Sequence, residues 1–307
     1  MKRIYMDHNA TTPLREDVLE AMLPCLRGEF GNASSLHYFG IQARRAVEAA
    51  REKVATALGA QPREIILTGC GTESDNQAIK GVMFANRGKG DHIITSRIEH
   101  KAVLQTCQYL EKQGFRVTYL PVDEYGLVNP DDVAQAITGR TVLVSVMFAN
   151  NEVGTIQPIG AITQVCRERG VYFHTDAVQM VGKLPIDVNE LGIDLLSLSA
   201  HKFYGPKGVG ALYVRKGVKV DPLLHGGHQE WGRRAATENV AGIVGLGRAL
   251  ELRLGEMDAE AERLTALRER LYSGLLARIP HVYLYGHPSE RLPGTLNVCF
   301  EYIEGEG

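Results

Sequence analysis

From about residue 43 onward, segments whose apolar residues recur at a helical period alternate with short strand-like runs, and few chain topologies accommodate that alternation. Val47, Ala50, Val54 and Leu58 share one helical face that Gly59 ends, and IILT at 65–68 follows as a buried strand. Further strand-like runs are HIITS (92–96), VTYL (117–120), VLVSV (142–146), VYFHTD (171–176), DLLSLS (194–199) and VGALYV (209–214), seven in all. Helical stretches beginning near Glu73, His100, Pro130 and Ile159 follow the first four, the order that parallel βαβ units impose. Only nine residues separate Ser199 from Val209, too few for a crossover helix, so the last strand is expected antiparallel to its predecessor. The expected fold class is α/β: a mixed, mainly parallel seven-stranded sheet with helices on both faces.

Beyond Gly255 the pattern changes. Met257, Ala261, Leu264, Leu267, Leu271 and Leu275 mark one amphipathic helix, and VYLY (282–285) and TLNVCF (295–300) read as strands. This is the opening of a second, smaller α+β domain that has little to pack against before Glu304-Gly305-Glu306-Gly307, so a C-terminally truncated protein is expected. The expected division is a large domain over 15–254 and an incomplete small domain from 1–14 and 255–307.

Charge and cysteine usage exclude several function classes. Lys and Arg number 34 against 36 Asp and Glu, so no basic excess points to nucleic acid or an anionic membrane as partner. With 44% hydrophobic residues the chain is an ordinary globular one. The five cysteines, at 25, 70, 107, 166 and 299, lie too far apart in sequence for a zinc or redox pair, and no metal site is expected. The polar start after six residues and the lack of a bilayer-length apolar run lead to an expected cytoplasmic location.

Ligands of open α/β sheets sit outside the carboxyl ends of the strands. Five expected strand ends are followed by unusual polar groups: Gly69-Cys70-Gly71-Thr72-Glu73, Glu99-His100, Asn150-Asn151-Glu152, His174-Thr175-Asp176 with Gln179, and Ser199-Ala200-His201-Lys202. All five converge on one edge. Backbone N–H groups of Gly71 and Thr72 at a helix start can hold a phosphate, although a tight turn needing glycine explains the same residues. Lys202 can form a Schiff base and Asp176 can keep a pyridinium nitrogen protonated, the pair that pyridoxal phosphate chemistry requires. A solvated lysine and a helix N-cap are the plain alternatives. His100 can stack on a ring or move protons, or simply be bonded in the first turn of a helix. His225 and His228, separated by two glycines without a nearby third ligand, read as a loop.

These residues lie in segments that resemble a known family. MDHNATTP (6–13), FGNASSLH (30–37), TGCGTESDN (68–76), FANNEVGT (148–155), HTDAVQMVGK (174–183), SLSAHKFYGPKGVG (197–210), GGHQEWGRRAATEN (226–239) and FEYIEGEG (300–307) together resemble the NifS-type cysteine desulfurases, pyridoxal-phosphate enzymes of the aminotransferase class V fold. The resemblance implies a homodimer with pyridoxal 5′-phosphate on Lys202, Asp176 on the ring nitrogen, His100 stacked on the ring and Gln179 bonded to the ring oxygen. It further implies a phosphate cup from Gly71, Thr72, Ser199 and His201, with Thr237 reaching the phosphate of the other subunit, and Asn151 beside the cofactor oxygen and the substrate carboxylate. The implied reaction removes sulfur from L-cysteine, giving L-alanine and an enzyme persulfide. An iron–sulfur scaffold protein is the implied acceptor, in nitrogen fixation or housekeeping assembly of metal-binding iron–sulfur proteins.

In the family the nucleophilic cysteine and an arginine that grips the substrate carboxylate lie downstream of the EYIEGE segment. None of the five cysteines here matches that position. Ala33, Trp231 and Ala236 also depart from the family's usual proline, arginine and glycine. Two alternatives follow: a selenocysteine lyase or aminotransferase of the same fold, and a truncated, non-catalytic scaffold.

Overall fold

The computed structural model describes residues 3–303, so Glu304–Gly307 of the last quoted block lie outside the described residues. Helices α1 (Glu16–Arg27) and α2 (Tyr38–Leu58) come first, and α2 ends where Gly59 takes a left-handed φ of 69°. Strands and helices then alternate: β1 (Ile65–Thr68), α3 (Gly71–Ala85), β2 (His92–Ser96), α4 (Lys101–Lys112), β3 (Arg116–Leu120), α5 (Pro130–Ala136), β4 (Thr141–Ser145), α6 (Ile159–Glu168), β5 (Tyr172–Asp176), β6 (Leu195–Ser199) and β7 (Gly210–Val214). All seven expected strands form, with ends displaced by no more than one residue. The sheet order is β1-β7-β6-β5-β4-β2-β3, and β7 alone runs against its neighbours, as the short Ser199–Val209 connection requires.

Strand periodicity sorts the core onto two faces. Ile66, Ile93, Leu143, Leu195, Leu212 and Val214 pack with residues of α3 and α4. Ile65, Ile94, Val144, Phe173, Leu196 and Tyr213 pack on the opposite face with residues of α2, α5 and α6. On the α3 side the strands turn polar toward their carboxyl ends, from Ile93 to Thr95, Leu143 to Ser145 and Leu195 to Ser197. His174, fully buried and held neutral because burial pushes it down to about 3, ties this polar floor together. Its Nδ1 lies 2.8 Å from Ser145 Oγ on β4 and its Nε2 3.0 Å from Ser197 Oγ on β6.

The amphipathic helix expected from Met257 is the outer part of a longer element, α7 (Val240–Leu276), 37 residues in one piece. Its inner turns hide from a periodicity reading because glycine stands where a large apolar residue would otherwise announce the face. A Cβ on Gly247 would come within 2.9 Å of Ala50 Cα, and one on Gly245 within 2.7 Å of Met22 Sδ, so the glycines let α7 lie close against α2 and α1. Beyond α7 comes the antiparallel pair β8 (Val282–Tyr285) and β9 (Asn297–Phe300).

A buried ion pair fastens the loop after β7. Glu230 accepts from Arg51 Nη1 at 2.5 Å, from Nη2 at 2.8 Å and from the Leu67 backbone at 3.0 Å. Next to it, the Trp231 ring has the guanidinium carbons of Arg51, Arg233 and Arg63 within 4.7, 5.0 and 5.8 Å of its centre. An aromatic face attracts all three cations where another arginine would repel them.

Candidate functional site

The parallel strands all end at one edge, and a cavity of about 720 Å³ opens there. Nine of the ten expected residues line it: Gly71, Thr72, His100, Asn151, Asp176, Gln179, Ser199, His201 and Lys202. Thr237 does not; it is exposed in the loop after β7.

At one end of the cavity, α3 begins directly after β1. Its first N–H groups, on Gly71 and Thr72, have no intrahelical acceptor. Cys70 caps the helix, its Sγ accepting from Glu73 N at 3.4 Å. Glu73 folds back to accept from Gly69 N at 2.8 Å and is clamped by Arg234 Nε at 2.8 Å. A Cβ on Gly71 would meet Val178 Cγ2 at 2.8 Å and Ser199 Cβ at 3.4 Å, so the glycine is what allows the helix start to approach the turn after β5. His201 on the facing wall is neutral: burial, then Lys202 and Lys207, push it down to about 4, and Thr11 Oγ1 lies 3.0 Å from its Nδ1.

At the other end stands Asp176, 5% exposed at the tip of β5. Its Oδ1 accepts from Val178 N at 2.9 Å across a turn; no helix forms between β5 and β6, so the helix N-cap foreseen as the plain reading is not what this residue makes. Burial raises its pKa, and His100 and Lys202 pull it partly back. A second carboxyl, Asp75, lines the same cavity at 1% exposure with Oδ1 unpartnered, 3.7 Å from His174 Nε2. Burial and the charge of Asp176 raise Asp75 strongly. Buried negative charge of this kind asks for a cationic N–H.

Lys202 follows β6 in a short 3-10 turn and reaches across to the chain start, donating to Asn9 O and, at 2.9 Å, to Ala10 O. Burial lowers its pKa, against the pull of Asp176, Asp7 and Glu152. His100 caps α4 with Nδ1 accepting from Ala102 N at 3.1 Å, which leaves Nε2 to carry the proton in the neutral ring. Gln179 donates to Asn9 O at 2.8 Å, and Asn151 donates to Glu152 Oε1 at 2.8 Å.

The residues that sequence reasoning passed over are Asn9, Ala10, Asp75, Lys183 and, as a buried base, Glu99. Asn9 and Ala10 sit in a quoted block, MDHNATTP, whose polarity has no periodicity to place it. Glu99 Oε1 accepts from Ser96 Oγ at 2.6 Å and Met147 N at 3.0 Å, while Oε2 is unpartnered. Burial pushes Glu99 up to about 8. A carboxyl whose folded pKa exceeds its unfolded value binds an extra proton in the native state, so stability declines as pH rises from about 4 toward 8. Glu99→Gln keeps the Oε1 acceptor without the charge. Urea unfolding at pH 5 and pH 9 should therefore show a smaller stability loss in this variant than in the wild type; an equal loss would assign the decline to other groups.

The donors of the helix start, the buried carboxylate opposite and the desolvated amine on the wall suit a flat cationic heterocycle that bears a phosphate. Comparison with known proteins agrees. The aminotransferase class-V family matches residues 4–307. A protein named cysteine desulfurase IscS from Methanosarcina thermophila is 61% identical over 99% of this chain and 75% of its own length. One of the same name from Dictyoglomus turgidum is 59% identical over 100% of this chain and 78% of its own. Among solved structures, a NifS-like protein superposes with a TM-score of 0.96 at 45% identity, covering 99% of this chain and 84% of its own. The structure titled SspA in complex with cysteine superposes with a TM-score of 0.89 at 42% identity, covering 97% and 84%.

Proposed function

The chain belongs to the aminotransferase class-V family and is a pyridoxal-phosphate-dependent cysteine desulfurase; on that premise we propose how its residues divide the work. The single observation that carries the assignment is the convergence of Lys202, Asp176 and the α3 start on one cavity. When bound, pyridoxal 5′-phosphate supplies a ring that withdraws electrons from the α-carbon of an amino acid.

Gly71 and Thr72 N–H groups, with Ser199 and His201 on the facing wall, hold the phosphate. Asp176 keeps the ring nitrogen protonated, and the cation in turn compensates its buried charge. His100 covers one ring face. Gln179 donates to the ring oxygen. Lys202 anchors the cofactor, and its lowered pKa suits it to take the proton from the substrate α-carbon. Asn151 faces the substrate carboxylate.

L-cysteine is the substrate on this reading, and the sulfur goes to an iron–sulfur scaffold. Burial pushes the thiols of Cys107 and Cys166 up to about 12 and raises Cys25 as well, so these three are poor nucleophiles. The chain spans about three-quarters of the curated relatives' length. A second copy supplies Thr237 to the phosphate, a role that its exposed place on the clamped loop after β7 supports. The division into 15–254 against 1–14 with 255–307 and a cytoplasmic location belong to the same proposal; among the described residues no helix is long and apolar enough to cross a membrane.

The test is direct. Holoenzyme reduced with borohydride and mapped by mass spectrometry should carry the cofactor on Lys202, and L-cysteine should exchange its α-proton with deuterated solvent. Label on another lysine, or exchange that needs a keto acid, would overturn the assignment.

A further inference from the structure

Lys183 sits one turn beyond Gln179, after Gly182 takes a left-handed φ of 75° and offers its carbonyl to Arg253 Nε at 2.9 Å. That turn brings Lys183 Nζ to 2.7 Å from Gln179 Oε1. A lysine ammonium has only donors to offer, so the amide must turn its oxygen toward Lys183. The NH₂ end then points the other way, where it meets Asn9 O at 2.8 Å, the same carbonyl that accepts from Lys202. An amide's two ends are nearly equal in shape, and only its hydrogen-bond partners choose between them.

We propose that Lys183 is a positioning residue that fixes Gln179 as a donor, not an acceptor, toward the ring oxygen of the cofactor. The inference rests on the reading of Gln179 given above. Lys183 also lines a second cavity of about 630 Å³ on the far side of Lys202, with His8, Arg253, Glu260 and Arg263 on the same walls. Burial, then Lys202 and Arg253, push Lys183 down to about 7. The contact survives that shift, because a neutral amine still carries two N–H groups, but only the ammonium is donor-only, so the selection is strongest below about pH 7. With Lys183 absent, the Asn9 carbonyl is the one partner left to select the amide's orientation, and whenever the amide turns over, two acceptors face each other.

The readout is the pH midpoint of the absorption band of the bound cofactor, together with the dissociation constant for pyridoxal 5′-phosphate, in wild-type, Lys183→Met, Gln179→Ala and double-variant holoenzymes. Losing a donor to the ring oxygen, or a cation nearby, disfavours the deprotonated form, so Lys183→Met should move the midpoint up by about 0.5–1 unit, the scale of one hydrogen bond. In the Gln179→Ala background the same substitution should add less than half of that shift. Lys183→Arg, another donor-only side chain, should restore the wild-type midpoint. If Lys183→Met fails to accumulate, Lys183→Gln, which keeps a polar end group and loses the donor-only character, should move the midpoint the same way.

An unchanged midpoint in the lysine variants, or shifts that simply add in the double variant, would overturn the inference while leaving Lys202 and Asp176 in their roles. Failure of borohydride to fix the cofactor on Lys202 in the wild type would instead overturn the site reading itself.

Discussion

Lys202→Ala is expected to slow exchange of the L-cysteine α-proton by about 10³- to 10⁴-fold, the upper range for loss of a positioned acid–base group. Alanine removes both the anchor of the cofactor and the amine that takes the proton, and no other group replaces it on that wall. Lys183, a second buried amine, is occupied by Gln179 Oε1 and lines the second cavity. Because the substitution shortens a side chain that donates only to Asn9 and Ala10, the fold should persist. Circular dichroism, and the melting temperature without cofactor, would therefore stay near wild type while exchange collapses. Exchange within tenfold of wild type would remove Lys202 from the chemistry.

Asp176→Asn is expected to lower the same rate by about 10²- to 10³-fold, the cost of removing one preorganised electrostatic partner. The amide keeps the volume of the carboxylate but cannot hold the ring nitrogen as a cation. Its effect on stability should change sign with occupancy. Without cofactor, the folded carboxyl has a raised pKa, so its stabilising proton is held at low pH and lost as pH rises; asparagine relieves that loss at neutral pH. With cofactor bound, the wild type gains an ion pair that the variant lacks. The variant should thus melt no lower than wild type when empty and lower when loaded. A variant that melts lower in both states would mark Asp176 as a packing residue.

Much of this site is legible in the sequence because an α/β sheet turns strand order into position. Once seven strands are read, the five polar clusters at their ends have only one edge to share, and Lys202, Asp176 and Gly71 fall together without further information. The parts that escape reading are those set by approach between elements distant in the chain. Asn9 meets Lys202 across 193 positions, and Asp75 is one of two acidic residues on α3 until burial singles it out. Nothing in the sequence around Lys183 singles it out, and only a 2.7 Å contact shows what it holds. The inner part of α7 escapes for the opposite reason, since its glycines record intimate helix contact, which a periodicity reading takes for a break.

The length of α7 has a mechanical consequence. At 1.5 Å per residue it is a rod of about 55 Å, seated at one end against α2 and leading at the other to the β8–β9 hairpin. The linker between the hairpin strands returns to the catalytic edge, where Leu292 N donates to Gly154 O at 2.9 Å, Asn9 Nδ2 donates to Thr295 Oγ1 at 3.1 Å, and Thr295 borders the cavity. The hairpin is therefore moored twice, by a stiff beam and by a tether to the pocket rim. Any swing of this part must bend the beam or slip the tether, so its displacement and the width of the pocket mouth are geared to one another.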